Sequence, residues 1–259
     1  MLKERKNLRK VFAITICLVG SATMFAQETG VVINGVTWAT RNVDAPGTFA
    51  ANTKDAGMFY QWNSKIGWSS SDPLVSTNGS TWNSSWDGNG ATTWETANDP
   101  SPAGWHVPTQ ADFDKLLEVS KVDFAWTTVN FVLGGLFTDK TNYNSIFLPA
   151  AGYRDNGNLG GVSVYGYYWS NTDIVYNNVY VLQFNSVDGC SEEIYSKCNG
   201  FIIRPVKDGS TGINEVSVDT ENAKVAGYFD ILGRKLTEEP TKGIYIIQYD
   251  NGKTKKMIK

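Results

Sequence analysis

The chain has 259 residues, of which 13% are aromatic and 19% charged, and its formal net charge is -3. This aromatic content with so little charge argues against an intrinsically disordered protein. Five of the basic residues lie among the first ten, so the remainder is more acidic and has no basic stripe of the kind that binds nucleic acid. The length suits one domain of about 180 residues with a small second one.

The N-terminus has the pattern of a signal peptide. A basic stretch at residues 3–10 precedes the apolar run Val11–Val19, which is shorter than a membrane span of about 20 residues. Small residues at 21–26 predict cleavage before Gln27, so we assign residues 1–26 to the signal peptide. An uncleaved anchor, or a lipoprotein modified at Cys17, are the alternatives. We expect a protein that is exported through the periplasm and is secreted or held at the outer-membrane cell surface.

Short strands and a long polar loop follow. Val31–Trp38 is predicted to be a hairpin, because Asn34-Gly35 tolerates the positive φ angles of a type I′ turn. Met58–Trp62 is predicted to be an aromatic strand. Residues 63–104 are rich in Ser, Asn, Gly, Thr and Trp, and we expect a long loop that folds against the core.

One helix is predicted, beginning after Thr109. Thr109 and Asp112 have the spacing of a capping box, and Phe113, Leu116 and Leu117 form one apolar face. The helix is expected to end at Val119 or Lys121. Strands are predicted downstream at 131–137, 146–148, 165–170, 179–185 and 200–206. Few helices, many short strands and long loops indicate an α+β domain over 27–208, followed by a linker at 209–216.

The last residues, 217–259, are predicted to form a small all-β domain. Ile244–Tyr249 is rich in β-forming residues, Asn251-Gly252 is a strong hairpin turn, and Lys253–Lys259 returns as a strand.

Three sequence blocks resemble the Fibrobacter succinogenes major paralogous domain family. They are Asn98-Asp-Pro-Ser-Pro-Ala-Gly-Trp-His-Val-Pro-Thr109, Phe147-Leu-Pro-Ala-Ala-Gly-Tyr-Arg154 and Gly166-Tyr-Tyr-Trp-Ser170. The resemblance covers about residues 31–208, most of the mature chain. It implies a C-type-lectin-like fold and an exported, surface-associated domain, but it supplies neither a reaction nor a ligand.

The C-terminal residues resemble the sorting domain of type IX secretion cargo. Val225-Ala-Gly-Tyr-Phe-Asp-Ile-Leu-Gly-Arg-Lys-Leu236 is similar to that family's Tyr-Asp-x-x-Gly-Arg block, with Phe229 where Tyr is usual. Gly-Ile-Tyr at 243–245 and a Lys-rich end complete the pattern. The resemblance implies that residues 217–259 engage the type IX secretion machinery. A small β-domain without that role is the alternative.

The mature chain has two cysteines and one histidine. Cys190 and Cys198 are close in sequence, and in an exported protein such a pair is expected to form a disulfide. A metal site is the weaker alternative, since two thiolates need further ligands. Because His106 is the sole histidine, zinc sites with several histidines are excluded. We interpret His106 as a packing or hydrogen-bonding residue.

The tryptophans suggest glycan binding. Aromatic rings stack on the apolar faces of sugars, while amide and carboxylate groups bond their hydroxyls. Trp62, Trp105 and Trp169 lie in the recurring blocks and are expected in the core. The predicted binding face combines loop tryptophans with nearby polar residues: Trp68, Trp82, Trp86, Asp155, Asn156 and Asn171.

The leading hypothesis is a non-enzymatic, exported surface protein that binds a glycan or a partner protein and needs no cofactor. Trp169-Ser-Asn-Thr-Asp173 resembles in part the calcium and sugar motif of C-type lectins, so calcium-dependent binding stays open. A structural or tip component of a fimbria or matrix is the alternative. An enzyme is a third one, since Tyr168-Trp-Ser170 and Gly200-Phe-Ile-Ile-Arg204 distantly resemble the formylglycine-generating enzymes. Their copper-binding cysteine pair has no counterpart at Cys190 and Cys198.

Overall fold

The computed structural model describes residues 28–174, 177–209, 224–230, 234–242, 244–250 and 254–258. The predicted signal peptide, most of the predicted linker and the Asn251-Gly252 turn lie outside these ranges. The described chain is a mostly-β α+β protein, built from several small antiparallel sheets with one α-helix. Among these residues, no helix has the length and apolar character needed to cross a membrane.

Fifteen strands are described between residues 28 and 209, and most are short. In chain order they are β1 Val31–Ile33, β2 Val36–Trp38, β3 Phe59–Gln61, β4 Gly67–Trp68, β5 Trp105–His106, β6 Val122–Val129, β7 Val132–Asp139, β8 Ser145–Pro149, β9 Tyr153–Asp155, β10 Asn158–Gly160, β11 Tyr165–Asp173, β12 Asn178–Asn185, β13 Gly189–Ser196, β14 Gly200–Phe201 and β15 Val206–Lys207.

The predicted N-terminal hairpin is confirmed. β1 and β2 pair antiparallel from Val31 opposite Trp38 to Ile33 opposite Val36. Asn34 and Gly35 have φ angles of 45° and 79°, the left-handed values that a type I′ turn requires. The hairpin continues into a four-stranded sheet in the order β1-β2-β15-β5, which brings the two ends of this part of the chain together.

The helix, α1 Gln110–Leu116, begins as predicted and ends earlier. The Thr109 side chain accepts a hydrogen bond from the Asp112 N–H, and the Asp112 side chain accepts one from the Thr109 N–H, so the capping box is complete. Phe113 and Leu116 are buried. The expected continuation to Val119 or Lys121 is wrong, since Leu117 is the C-cap and Val119 is exposed.

Two three-stranded sheets, β6-β7-β8 and β11-β12-β13, and a five-stranded sheet, β10-β9-β14-β3-β4, complete this part. The prediction missed β6 and β13, in which Val122 of β6 is the one fully buried residue. Sheet β11-β12-β13 separates two apolar clusters. Tyr168, Leu182 and Phe184 pack into one with α1, and Trp169 packs into the other with Trp62 and Phe201.

Two buried arginines tie these sheets together. The Arg204 side chain is fully buried and donates to the Asn42 Oδ1 at 2.7 Å and to the carbonyls of Ala39 and Phe147 at 3.1 Å. Burial lowers the pKa of Arg204 to about 10, so the guanidinium is still charged at neutral pH. Arg154 has a similar role near the candidate site.

The C-terminal residues form a separate four-stranded antiparallel sheet in the order β17-β16-β18-β19. Its strands are β16 Val225–Phe229, β17 Lys235–Leu236, β18 Ile244–Tyr249 and β19 Thr254–Ile258. The predicted strand pair is therefore confirmed. A small cluster of Tyr245, Ile247 and Tyr249 with Tyr228 and Leu236 forms its core.

Candidate functional site

Trp68 lies in the core, so its assignment to the predicted binding face is wrong. Only 2% of Trp68 is exposed, on strand β4, which pairs with β3. Its ring packs against Trp82 with the ring centroids 5.0 Å apart. Burying an indole of this size stabilises a domain much more than displaying it, even though the surrounding loop sequence is polar.

Trp82 is half-buried and rests on two glycines. A Cβ atom at Gly200 would lie 2.6 Å from the Trp82 Cη2, and one at Gly157 would lie 3.5 Å from the Trp82 Cβ. The ring therefore needs the bare backbone of β14 beneath it. Contact with Gly157 also places Trp82 beside the turn between β9 and β10.

Arg154 shapes that turn. Its side chain is fully buried and donates to the carbonyls of Ser69 at 3.0 Å, Ser71 at 2.8 Å and Gly157 at 2.7 Å, and to the Asp72 carboxylate at 3.1 Å. A guanidinium has donors enough for all four acceptors. The β9–β10 turn and the segment around residues 69–72 are thus held together.

Asp155 and Asn156 lie exposed at this turn, next to Trp82. Asn156 has a φ angle of 50°, which asparagine tolerates better than most residues. Trp86 is half-buried elsewhere, and its Nε1 donates to the Trp62 carbonyl at 2.6 Å. The predicted face therefore brings together Trp82, Asp155 and Asn156, while Trp86 contacts Trp62.

Asn171 belongs to a different place, a cleft of about 700 Å3 beside the Pro-rich block that precedes α1. Trp94 and Trp105 also line it, each with 7–8% of its surface exposed. The Asn171 N–H donates to the Pro108 carbonyl at 2.7 Å, which positions this residue against the block. The other polar side chains that line the cleft include Lys65, Asp99, Ser101, His106 and Asp208.

One polar side-chain group of the cleft is free to bind. Within the described residues, the Asn171 amide nitrogen has no hydrogen-bond partner, although its Oδ1 accepts from Thr172 Oγ1 at 3.2 Å. The Ser101 Oγ also has no partner in this part of the chain, but the atom is buried and a ligand in the cleft does not reach it. Each oxygen of the Asp99 carboxylate already accepts a backbone N–H, from Ser101 at 2.8 Å and from Val107 at 3.0 Å.

His106 joins the cleft to strand β15. Its Nδ1 lies 2.7 Å from the Asp208 carboxylate, and its side chain is 36% exposed. The expectation that His106 is a hydrogen-bonding residue is confirmed. The expectations that Trp62, Trp105 and Trp169 are core residues are confirmed as well, with exposures of 0%, 8% and 0%.

The residues that resemble the calcium motif of C-type lectins have other partners. Asp173 forms an ion pair with the buried Lys197 at 3.0 Å, and the Ser170 Oγ donates to the Tyr180 carbonyl at 2.7 Å. Within the described ranges, no three His, Cys, Asp or Glu side chains converge on a point that could hold a metal ion.

Burial raises the pKa of Glu192, whose carboxylate accepts from Gln110 at 3.2 Å.

The predicted Cys190–Cys198 disulfide is wrong, because both thiols are free. Cys190 lies near the start of β13 opposite Phe184, and Cys198 follows the end of the same strand. The strand from Cys190 to Ser196 alone spans about 20 Å at about 3.3 Å per residue. Bridged Cα atoms lie within about 7 Å of each other. Burial raises the pKa of the Cys190 thiol to about 11, so it is protonated at neutral pH.

Sequence reasoning missed Trp94, Ser101 and Lys65 as neighbours of Asn171. The Pro-rich block that carries Ser101 was read only as a family signature, although its turns form one wall of the cleft. Comparisons with protein-family models, with curated proteins and with solved structures find nothing that matches this chain.

Proposed function

We propose that this chain is a non-enzymatic, exported surface protein that binds a glycan in the cleft around Asn171. The observation that carries the proposal is the Asn171 amide, which has no partner within the described residues, in a concavity that is also lined by the narrow exposed edges of Trp94 and Trp105. A cleft of about 700 Å3 lies within the range of sites that take small ligands.

The chemistry of the cleft favours a neutral sugar. The exposed edges of the two indoles offer apolar contact to the C–H face of a pyranose, and the free Asn171 amide donates hydrogen bonds to its hydroxyls. Charges of both signs, Lys65, Asp99 and Asp208, line the same space, so a strongly charged ligand would meet repulsion on one side. No metal enters this mode of binding.

Export, family membership and the C-type-lectin-like fold are parts of the same proposal. The three sequence blocks supply core residues: Trp169 donates to the Tyr60 carbonyl at 2.6 Å, and Arg154 is fully buried. That pattern supports a shared scaffold. The strand pair at the C-terminus supports a sorting domain at 217–259 that engages the type IX secretion machinery.

The test is a glycan array of the purified protein, followed by calorimetry on the best ligand with and without a calcium chelator. Asn171→Ala should weaken binding about tenfold, since one hydrogen bond contributes about 1–1.5 kcal/mol. Chelation should leave the affinity unchanged. Asn156→Gly is the matched control, because glycine suits its φ angle and the residue lies outside the cleft.

The opposite pattern of binding losses in the two variants would assign the glycan site to a different surface. If Asn156→Gly loses binding and Asn171→Ala retains it, then the surface formed by Trp82 and the β9–β10 turn is the glycan site. An array without any specific ligand would overturn the glycan proposal.

A second candidate function is a structural component of a surface assembly that binds protein partners. The observation that favours it is an exposed apolar patch around Phe131, Val162 and Val164, which are 101%, 50% and 50% exposed. Such a patch is a common mark of a protein–protein contact.

A further inference from the structure

Phe131 occupies a position that its side chain disfavours. It lies in the two-residue turn between β6 and β7, where Asn130 and Phe131 have φ angles of 47° and 66°. Glycine usually fills the second place, because a left-handed conformation costs other residues about 1–2 kcal/mol. The ring is also completely exposed. An aromatic side chain that is both strained and solvent-exposed has no stabilising role in the isolated chain.

A second apolar turn lies beside it. Val162 and Val164, both half exposed, flank Ser163, whose φ angle of 62° is again left-handed. The Ser163 N–H donates to the Ala150 carbonyl at 2.8 Å, which fixes the turn against the segment after β8. Two independent turns therefore project apolar side chains on one side of the molecule.

Both turns border a groove of about 550 Å3, which we call the alanine groove. Its walls are built mainly from small side chains, so the space that larger residues would fill is open. They include Ala50, Ala51, Ala56, Pro149, Ala150 and Ala151. Phe131 and Val162 lie at the same groove. The surface thus has a protruding ring directly beside a depression lined by small side chains.

The alanine groove also has charges of both signs. Asp44, Asp55 and Lys54 line it, and none of these side chains takes part in an ion pair within the described residues. A surface that offers an unpaired carboxylate and an unpaired ammonium matches another copy of itself when the two are related by a two-fold axis.

We propose that a second copy of this chain docks on the alanine groove in a two-fold symmetric dimer. Each Phe131 ring enters the groove of the other copy, and each Lys54 faces the other copy's Asp44. A two-fold contact uses the same patch on both subunits, so that patch must hold both the projection and the depression, and both charges. The surface around the alanine groove has the projection, the depression and both charges. An unrelated partner would need only the projection or the depression, and only one of the two charges.

The experiment is sedimentation velocity on the full chain over a concentration series up to about 100 µM, the range of weak self-association. The wild type should form dimers with rising concentration, and Phe131→Gly should weaken the dimer at least tenfold. Glycine relieves the left-handed strain, so the variant should remain folded with an unchanged or higher melting temperature.

Tyr143→Gly is the matched control. Tyr143 is also an aromatic residue in the left-handed region, with a φ angle of 61° and 81% exposure, but it follows the far end of β7. Its removal should leave dimerisation unchanged. Equal loss of the dimer in both glycine variants would overturn the proposal, as would a wild type that stays monomeric over the whole series.

A charge exchange gives a second test. Lys54→Glu should weaken the dimer, and Lys54→Glu combined with Asp44→Lys should restore it, because the reversed pair can meet across the same axis. Failure of the double variant to recover any association would contradict the predicted pairing. Sugar affinity at the cleft around Asn171 should not change in any of these variants, so this proposal and the glycan proposal can fail separately.

Discussion

Trp68 and Phe131 are placed opposite to what their local sequences suggest. Trp68 lies in a stretch of serines, asparagines and glycines and is 2% exposed, whereas Phe131 begins an apolar run and is 101% exposed. The first difference arises because Arg154 folds the polar segment back over the strands. The second arises because Phe131 is the last residue of the turn, so that β7 begins at Val132, one residue later than the apolar run suggests. Composition around an aromatic residue therefore does not determine its burial.

The largest expected effect comes from substituting Trp68, the buried residue of this comparison. Trp68→Ala should lower the free energy of unfolding by about 3–5 kcal/mol, because a large core side chain is lost and a cavity remains. Trp68→Phe is the control and should cost less, since most of the apolar contact survives. Urea denaturation followed by circular dichroism measures both. A loss below about 1 kcal/mol for Trp68→Ala would show that the residue is not in the core.

A smaller effect is expected under Trp82. Gly200→Ala should destabilise the protein by about 1–3 kcal/mol, because the new methyl group would overlap the Trp82 ring. Gly79→Ala is the control, since a Cβ atom there meets nothing within 4 Å. It bears some backbone strain of its own, as its φ angle is 79°, so tryptophan fluorescence is the decisive measurement. The Gly200 variant should shift the emission, and the Gly79 variant should not.

A pH effect should come from Asp139, which anchors the turn that carries Tyr143. The carboxylate accepts from the N–H groups of Asn34 and Thr141, both at 2.7 Å, and chiefly the Asn34 bond lowers the pKa of Asp139 below its usual 3.8. Its stabilisation is present above the unfolded pKa and is lost as the pH falls through the lower folded pKa.

The melting temperature should therefore fall from about pH 5 to about pH 2 more steeply in the wild type than in Asp139→Asn. The variant should be less stable at neutral pH, because the charged acceptor is gone. Parallel pH profiles for the two proteins would rule out this linkage. The exposed Tyr143 turn would then be held by something other than the carboxylate.

No effect at all is expected from reductant. Cys190 lies near the start of β13, Cys198 lies beyond its end, and both thiols are free, so reduction has no bond to break. Alkylation of the unfolded mature protein without reductant should label both thiols, as read by intact mass. A bridge over so short a loop would instead contribute about 2–3 kcal/mol and block both labels.

Much of the fold could be predicted because its signals are local. The Asn34-Gly35 turn, the Thr109 and Asp112 capping box and the strand at 244–249 each depend on neighbours in sequence. The strands β6 and β13 could not be found, because Val122 is the one fully buried residue of the two strands and β13 has no regular alternation of apolar and polar residues.

The candidate site was harder to predict because it joins distant segments. The sequence identifies Asn171, but its neighbours Trp94 and Ser101 come from a segment about 70 residues earlier. Contacts over such a separation depend on how the intervening chain closes and not on local propensity. The disulfide prediction failed because closeness in sequence does not ensure closeness in space. Cys190 and Cys198 are near in sequence, and an extended strand keeps them apart.

The hydrogen bonds of the Arg154 side chain have a practical consequence for residues that this side chain does not contact. It fixes the chain at Ser69 and Ser71, and Trp82 is fixed on Gly200, so the exposed turn at Asn78-Gly79 is bounded by two anchored ends. Inserted residues there would lengthen a closed loop at small entropic cost. An epitope placed between Asn78 and Gly79 would therefore report, on intact cells, whether the chain has reached the outer surface.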